Sequence, residues 1–563
     1  MPKPVANAGS MLTPALSGTA MLIFVQLASR LFIFGSNQMI LRSLSPSILG
    51  IAAQLDLLMI SILFFSRESI RAAIQRQPLQ PIIASLTTGK GANKASHEQI
   101  HKAHAQSSQS IVNVSYLSIA IGAVMTMAFV AFYVHFASSE VLETAYYHMS
   151  VAVTASAALI ELGSEPSFTV VQHYMMYSER AAVEISAAFS KSLITCATST
   201  WAARGGHDLG VLPFAIGHLS YSAILFCGYF MVAINRASHG DFSLRLSRLR
   251  SSEKSTYLAD RFSWLLLSLS ANIFFQSVVK HLLTQGDSMI LAAMTSLQDQ
   301  GIYSLASNYG GLLARVLFQP IEESSRTIFS SLLGTKEGQG RDANIRAAKT
   351  HLLYILRDYM VISVLIIPLG PSLAPKIFHF VGGRRWTAPE VNGLLSLYCY
   401  YIPFLAFNGI IEAFVSSIAS PAELRKQTAW MTLFSGLFAL AAYLFLSIGG
   451  LGARGLVYAN IVNMSVRIIW SLSFSRQYLR QNESDLAITE LALRPETYAA
   501  SAIMAVLLSE VASNLDSNAN LILFVGGGFY ILLVLYFERE HVITHYNKIY
   551  KFIGAKRIRT KIE

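Results

Sequence analysis

The chain has 563 residues, of which 53% are hydrophobic and only 13% charged, and its mean hydropathy is +0.46. Soluble domains carry about 25% charged residues, so a water-soluble globular protein is excluded. The net charge of +11 would suit nucleic acid, but the basic residues are spread over loops between apolar runs rather than gathered into one patch.

Runs long enough to supply the ~20 residues that cross ~30 Å of hydrocarbon recur from end to end, among them 211–233, 353–371, 428–448 and 519–537. The alternating ten-residue segments of a membrane β-barrel are absent. The sequence predicts an all-α, polytopic membrane protein with about 14 transmembrane helices, read with the N-terminus inside. The spans fall at roughly 15–43, 48–72, 108–136, 141–163, 180–203, 210–233, 262–295, 301–330, 353–380, 391–419, 428–448, 455–475, 498–514 and 519–538. The first is too long for a secretory h-region and is expected to stay as an anchor.

Sidedness follows from the loops. Arg67, Arg71, Arg76, Lys90, Lys94 and Lys102 cluster after the second span, and Arg236, Arg245, Arg248, Arg250, Lys254 and Arg261 after the sixth. The tail adds Arg539, Lys548, Lys551 and others, whereas the odd loops hold little beyond Arg204, Arg384, Arg385 and Arg454. This positive-inside pattern places both termini in the cytosol. The loop 73–107 is expected to be a flexible cytosolic insertion. Its His97, His101 and His104 have no acidic or cysteine partner nearby and read as solvated surface rather than a metal site. Cys196, Cys227 and Cys399 fall inside spans, which suggests neither a disulfide framework nor zinc. The N-x-S sequons at Asn113, Asn463 and Asn482 read as unglycosylated, since two touch spans and the third lies in a cytosolic loop.

An internal repeat organises the chain. Gln26, Arg30 and Asn37 in the first span match Gln276, Lys280 and Asp287 in the seventh, spaced four and seven apart. The next span of each half ends in an acid–base pair three apart, Glu68 with Arg71 and Glu323 with Arg326. Two parallel-related six-helix lobes around a central cavity follow, at 1–233 and 262–497. A basic linker at 234–261 joins them, and two extra helices at 498–538 precede a basic tail at 539–563.

The stretch 312–333, "LLARVLFQPIEESSRTIFSSLL", puts charge into hydrocarbon. Asn308, Arg315, Gln319, Glu322 and Arg326 recur at helical spacing, so one face gathers them. Because each ionisable group costs about 3 kcal/mol at the bilayer centre, that face is expected to point inward. Pro320 should bend the helix. Arg30, Arg42, Asp56, Glu161, Lys280, Asp287, Glu412 and Arg467 are further inward candidates. Glu68–Arg71 and Glu323–Arg326 read either as structural ion pairs or as gating groups at the cytosolic mouth. Cations with a fringe of amide and carboxyl groups suit an anion with a hydroxylated body, such as a diphosphate carrying sugars.

"FFSRESIR" (64–71), "YSLASNYGGLLARVLFQPIEESSR" (303–326) and "LASRLFIFGSNQMILRSLSPSILGI" (27–51) resemble the Rft family of endoplasmic-reticulum membrane proteins. That family belongs to the multidrug/oligosaccharidyl-lipid/polysaccharide exporter superfamily, with the bacterial lipid II flippases. The resemblance implies a role in asparagine-linked glycosylation, with dolichyl diphosphate bearing five mannoses and two N-acetylglucosamines as substrate. It implies that Arg30 and Arg42 engage the diphosphate; from their own depth in the spans Lys280, Arg315 and Arg467 are expected to line a polar cavity, with Gln26 and Asn37. An alternating-access flippase acting as a monomer is the first reading, and a non-transporting chaperone or scaffold for the same glycolipid is the second. A glycosyltransferase would need paired carboxylates in lumenal loops, which the short loops at 137–140, 204–209 and 449–454 lack. No Walker A motif or nucleotide-binding domain is seen, and no cofactor is expected. If protons contribute, Glu161, Asp287 and Glu412 are the candidates.

Overall fold

A computed structural model describes residues 35–42, 44–75, 97–239, 243–249, 257–333, 341–382, 386, 388–513, 517–541 and 543. The described residues are helical almost throughout. Helices stand at every expected span from 48–72 onward. Among the described residues, seven are long and apolar enough to cross a membrane, or eight if the helix bent by 51° between Val279 and Thr284 is one span. The chain divides into two compact units, Met1–Met289 and Ile290–Glu563.

The first unit holds α1 (35–42), α2 (Pro46–Gln75), α3 (His97–His135), the single turn α4 (Ser139–Leu142), α5 (Tyr147–Gly163), α6 (Glu165–His173), α7 (Tyr177–Gly205) and α8 (Leu212–His239). The hairpin β1 (Tyr257–Leu258) and β2 (Phe262–Ser263) follows, then α9 (Trp264–Met294), whose end crosses the division. Pro46 starts α2, where a missing N–H costs nothing. The long span that begins at α5 breaks at Ser164, just before Pro166, and resumes as α6, which is buried from Glu165 to Val171.

The linker is not a loose tether over its described part. Fully buried Asn113 on α3 donates through Nδ2 to the carbonyls of Ser247 and Arg261 at 2.7 Å each. Its Oδ1 accepts from the Ser247 N–H at 3.1 Å. Gln109, one turn earlier, accepts from the Ser243 N–H and donates to the Arg245 carbonyl. The Tyr116 hydroxyl takes the Leu244 carbonyl at 2.8 Å. Leu266 of α9 then joins Ile70, Ile74, Ile111 and Val114 in one apolar cluster. These contacts explain why the compact division falls at Met289 rather than at the linker, 234–261, where the sequence suggested it. They also bury the Asn113 sequon. The expected loop 73–107 is shorter than its bounds, since α3 already begins at His97; residues 76–96, and the side chains of His97, His101 and His104, lie outside the described residues.

The second unit runs through α10 (Leu297–Leu313), a π turn (Ala314–Phe318), α11 (Gln319–Leu333), α12 (Arg341–Gly382), α13 (Pro389–Ile418), α14 (Pro421–Tyr443) with a π turn at Leu444–Ile448, α15 (Ala453–Gln481), a 3-10 turn, α16 (Pro495–Ser513) and α17 (Ser517–Phe537). Pro320 does not simply bend the helix. It removes a backbone donor, and the Gln319 N–H reaches back five residues to the Ala314 carbonyl. That wide turn adds one residue, about 100° of rotation. The single face expected across Asn308 to Arg326 is therefore interrupted between α10 and α11. Helix α14 starts in a capping box in which the Ser420 N–H donates to the Glu423 carboxylate and the Glu423 N–H to the Ser420 hydroxyl.

The last two helices pack on α12. Val361, Val364 and Leu369 meet Leu493, Leu508, Leu523, Tyr530 and Val534, and the Tyr530 hydroxyl donates to the Val364 carbonyl at 2.8 Å. Fully buried Glu538 fixes the corner, accepting from Arg357 at 3.0 Å and from Thr497 and the Arg494 N–H at 2.9 Å each.

Candidate functional site

Three polar clusters among the described residues bear on the residues singled out in the sequence, two in the first unit and one in the second. At the end of α2, Arg67 and Arg71 sit one turn apart and face Glu161 at the end of α5 and Glu165 at the start of α6. Arg67 reaches Glu161 at 2.8 Å and Glu165 at 3.1 Å, and Arg71 Nε donates to the other Glu165 oxygen at 2.9 Å. Both carboxylates are buried, and the Arg71 guanidinium lies 3.7 Å over the Phe168 ring. Buried charge survives only when it is paired and fully hydrogen-bonded, which the break at Ser164 makes possible by bringing two glutamates to two arginines.

The second cluster lies nearer the middle of α2 and joins it to α7 and α8. Asp56 Oδ1 lies 3.0 Å from His218 Nε2 on α8 and 3.3 Å from Lys191 Nζ on α7. It is eleven residues before Arg67, about 16 Å along α2.

In the second unit, Arg467 on α15 donates to Glu412 on α13 at 2.7 Å, and Asn408 Nδ2 reaches the same oxygen at 3.2 Å. Arg467 Nε and Asn408 Oδ1 are buried without a hydrogen-bond partner, so the cluster keeps capacity for another polar group. Glu322 on α11 lies against Gly409: a Cβ there would stand 1.4 Å from its Oε1, so only glycine lets the carboxylate come so close. About two turns before Arg467, Asn460 on α15 donates to the Tyr303 hydroxyl at 3.0 Å. Along α11, Gln319, Glu323, Arg326 and Ser330 are exposed, while Ser325 and Phe329 are buried.

The expected residues fare unevenly. Glu161, Glu412 and Arg467 enter clusters, and Glu322 lies beside one, with Arg326 and Glu412 as charged neighbours. Neither expected acid–base pair forms: Arg71 forks onto Glu165 instead of Glu68, and Glu323 accepts from Gln319 at 3.1 Å instead of from Arg326. Asn37 is half-buried on α1 and Arg42 is exposed at its end. Asp287 accepts from the Ser288 N–H at 2.8 Å. Gln26 and Arg30 lie outside the described residues, as do the side chains of Lys280 and Arg315. Sequence reasoning counted Arg67 with a cytosolic loop and did not single out Glu165, Lys191 or His218. Arg67/Arg71 and Glu161/Glu165 are each spaced four apart with opposite sign, the one signal that could have paired them. Nothing comparable marked Lys191 or His218.

The model of the family described as "Rft protein" matches residues 15–548. A Yarrowia lipolytica protein named "Man(5)GlcNAc(2)-PP-dolichol translocation protein RFT1" is 33% identical over 512 residues, covering 86% of this chain and 73% of that protein. The Saccharomyces cerevisiae protein of the same name is 31% identical, covering 83% and 84%. Among solved structures, a lipid II flippase MurJ in an inward closed conformation aligns with a TM-score of 0.55 at 14% identity, covering 93% of this chain and all of that one. An inward-facing multidrug resistance MATE transporter of the MOP superfamily aligns at 0.54 and 14%, covering 80% and 95%. At that identity they show the fold, a polytopic helical bundle.

Proposed function

The chain belongs to the Rft family, and from that premise we propose that it carries the dolichyl-diphosphate heptasaccharide, five mannoses and two N-acetylglucosamines, from the cytosolic to the lumenal leaflet of the endoplasmic reticulum. It does so as a multi-pass membrane protein by alternating access, with both termini in the cytosol and without catalysing a covalent step. The observation that carries this reading is similarity along most of the chain to relatives named as translocation proteins for that lipid.

Chemistry supports it. A glycosylated diphosphate needs cations for its phosphates and amide and carboxyl groups for its hydroxyls. Arg467 Nε and Asn408 Oδ1, buried and unpartnered, offer a donor and an acceptor of that kind. The exposed row Gln319, Glu323 and Arg326 on α11 extends it. Arg30, Arg42, Lys280, Arg315, Gln26 and Asn37 are the further residues proposed from the sequence for the headgroup. Glu68 and Asp287 belong to the polar groups that open and close access.

The test is the rate at which headgroups cross vesicles carrying the purified protein and this lipid. Crossing faster than in empty vesicles, and slowed at least tenfold by Arg326→Ala in a folded protein, is expected. No acceleration, with lipid binding retained, would favour a glycolipid-binding scaffold instead.

A further inference from the structure

Asp56, Lys191 and His218 are the polar cluster that headgroup binding does not explain. Three helices contribute one residue each, and each residue touches the other two. His218 is buried at 5% exposure, while the side chains of Lys191 and Asp56 are open at 35% and 48%. The partners fix the imidazole tautomer. Nε2, 3.0 Å from the carboxylate, must carry the hydrogen, and Nδ1, 3.4 Å from the Lys191 ammonium, must accept. In this form the cluster is a neutral, closed ring of hydrogen bonds.

It cannot stay closed when the ring gains a proton. A hydrogen on Nδ1 would point a second cation at Lys191 Nζ across 3.4 Å. The Nε2–H bond to Asp56 strengthens, the Lys191 contact breaks, and the exposed lysine is the member able to move away. Lys191 is also followed at four and eight residues by Thr195 and Ser199, two hydroxyls 4% exposed that make no hydrogen bond. Thr195 Oγ1 faces α8, since a Cβ on Gly217, beside His218, would stand 2.0 Å from it. The open side chains of Lys191 and Asp56 are the side from which a proton reaches the ring.

The charged groups on surrounding elements are already engaged. Arg67 on α2, Glu161 on α5 and Glu165 on α6 pair with one another, and Arg180 and Glu184 pair on α7 at 2.9 Å. Arg42 ends α1, whose Ile40 packs near Cys196 of α7.

We propose that Asp56, Lys191 and His218 form a proton-exchange site within the first lobe, where protonation of His218 Nδ1 releases Lys191 from the ring. The proton comes from water, the hydrogen bond from Lys191 to Nδ1 is lost, the 3.3 Å Lys191–Asp56 pair loosens as the imidazolium neutralises the carboxylate, and the cluster gains one positive charge. Two states that differ by one charge and one lysine position give the lobe a means to couple proton movement to a change of access. The use of that coupling, though not the site, rests on the transport reading above.

The test follows acylation of Lys191, by peptide mass spectrometry, relative to the other lysines of the intact protein in lipid nanodiscs. Relative labelling is expected to rise at least threefold from pH 8 to pH 6, and to be flat in His218→Gln. Asp56→Asn, which keeps the ring but removes the lysine's anchor, is expected to label strongly at both pH values. Equal relative labelling of the wild type at both pH values would overturn the proposal, as would a rise that survives in His218→Gln. A second arm imposes a pH gradient on glycolipid-containing vesicles. Crossing that responds to the gradient in the wild type but not in His218→Gln is expected, and crossing indifferent to it would overturn the coupling. A labelling switch without any crossing would leave the site standing and contradict the transport reading.

Discussion

Arg71 on α2 and Arg326 on α11 each follow a glutamate by three residues, the pattern that suggested a repeat in the sequence. Arg71 is held by a forked bond to Glu165 and by the Phe168 ring beneath its guanidinium. Arg326 is exposed, and the glutamate before it bonds to Gln319. The difference comes from the partner helices. The first lobe has a broken span that delivers Glu161 and Glu165 to one corner, whereas α11 faces α13 through Gly409 and keeps its charged side open. One sequence pattern thus serves as a structural clamp in one lobe and as a polar surface in the other.

Breaking the clamp should have the largest effect on folding. Glu165→Ala leaves two arginines facing a buried space, and the loss of one partner of a buried network costs about 3–5 kcal/mol. Thermal unfolding of the purified protein should show a large fall in midpoint, and an unchanged midpoint would mean that water reaches the corner. Gly409→Ala is next. Its methyl group must displace the Glu322 carboxylate, for about 1–3 kcal/mol, and the same unfolding measurement with Glu322→Gln added should show the two changes to be non-additive.

Smaller effects sharpen the contrast. Ser420→Ala removes the hydroxyl half of the α14 capping box and should cost about 1 kcal/mol. Hydrogen bonds from the Ser420 backbone N–H and then its side chain hold the Glu423 carboxyl below its usual range. A group with a lowered folded value stabilises fully above the ordinary glutamate value of 4.5 and loses that contribution as pH falls through the folded value. The Ser420→Ala deficit should therefore be constant from pH 8 to 6 and shrink only in acid, as measured by unfolding across that range. Arg326→Ala, on the open side, should change stability by no more than about 0.5 kcal/mol while slowing headgroup crossing. A large loss of stability there would erase the distinction between clamp and surface.

Much of the architecture could be read from the sequence, because hydropathy and length decide where helices cross and which stretches join them. The spans from 48–72 onward illustrate this. The partners of the charged residues could not. Glu165 lies 94 residues from Arg71, and hydropathy fixes a span without fixing its rotation, so the nearby Glu68 looked the natural partner. The π turn before Pro320 defeated the helical count in the same way, since one added residue turns a predicted face aside. Lys191 and His218 carried no spacing signal at all and became visible only where α2, α7 and α8 meet.

The central claim is that this protein moves a glycosylated diphosphate lipid, and the most direct measurement is headgroup crossing in vesicles of defined composition. The purified protein with the dolichyl-diphosphate heptasaccharide should speed crossing well above empty vesicles, and Arg326→Ala should reduce that rate at least tenfold while still folding. Crossing no faster than in empty vesicles, with a folded protein that still binds the lipid, would contradict it.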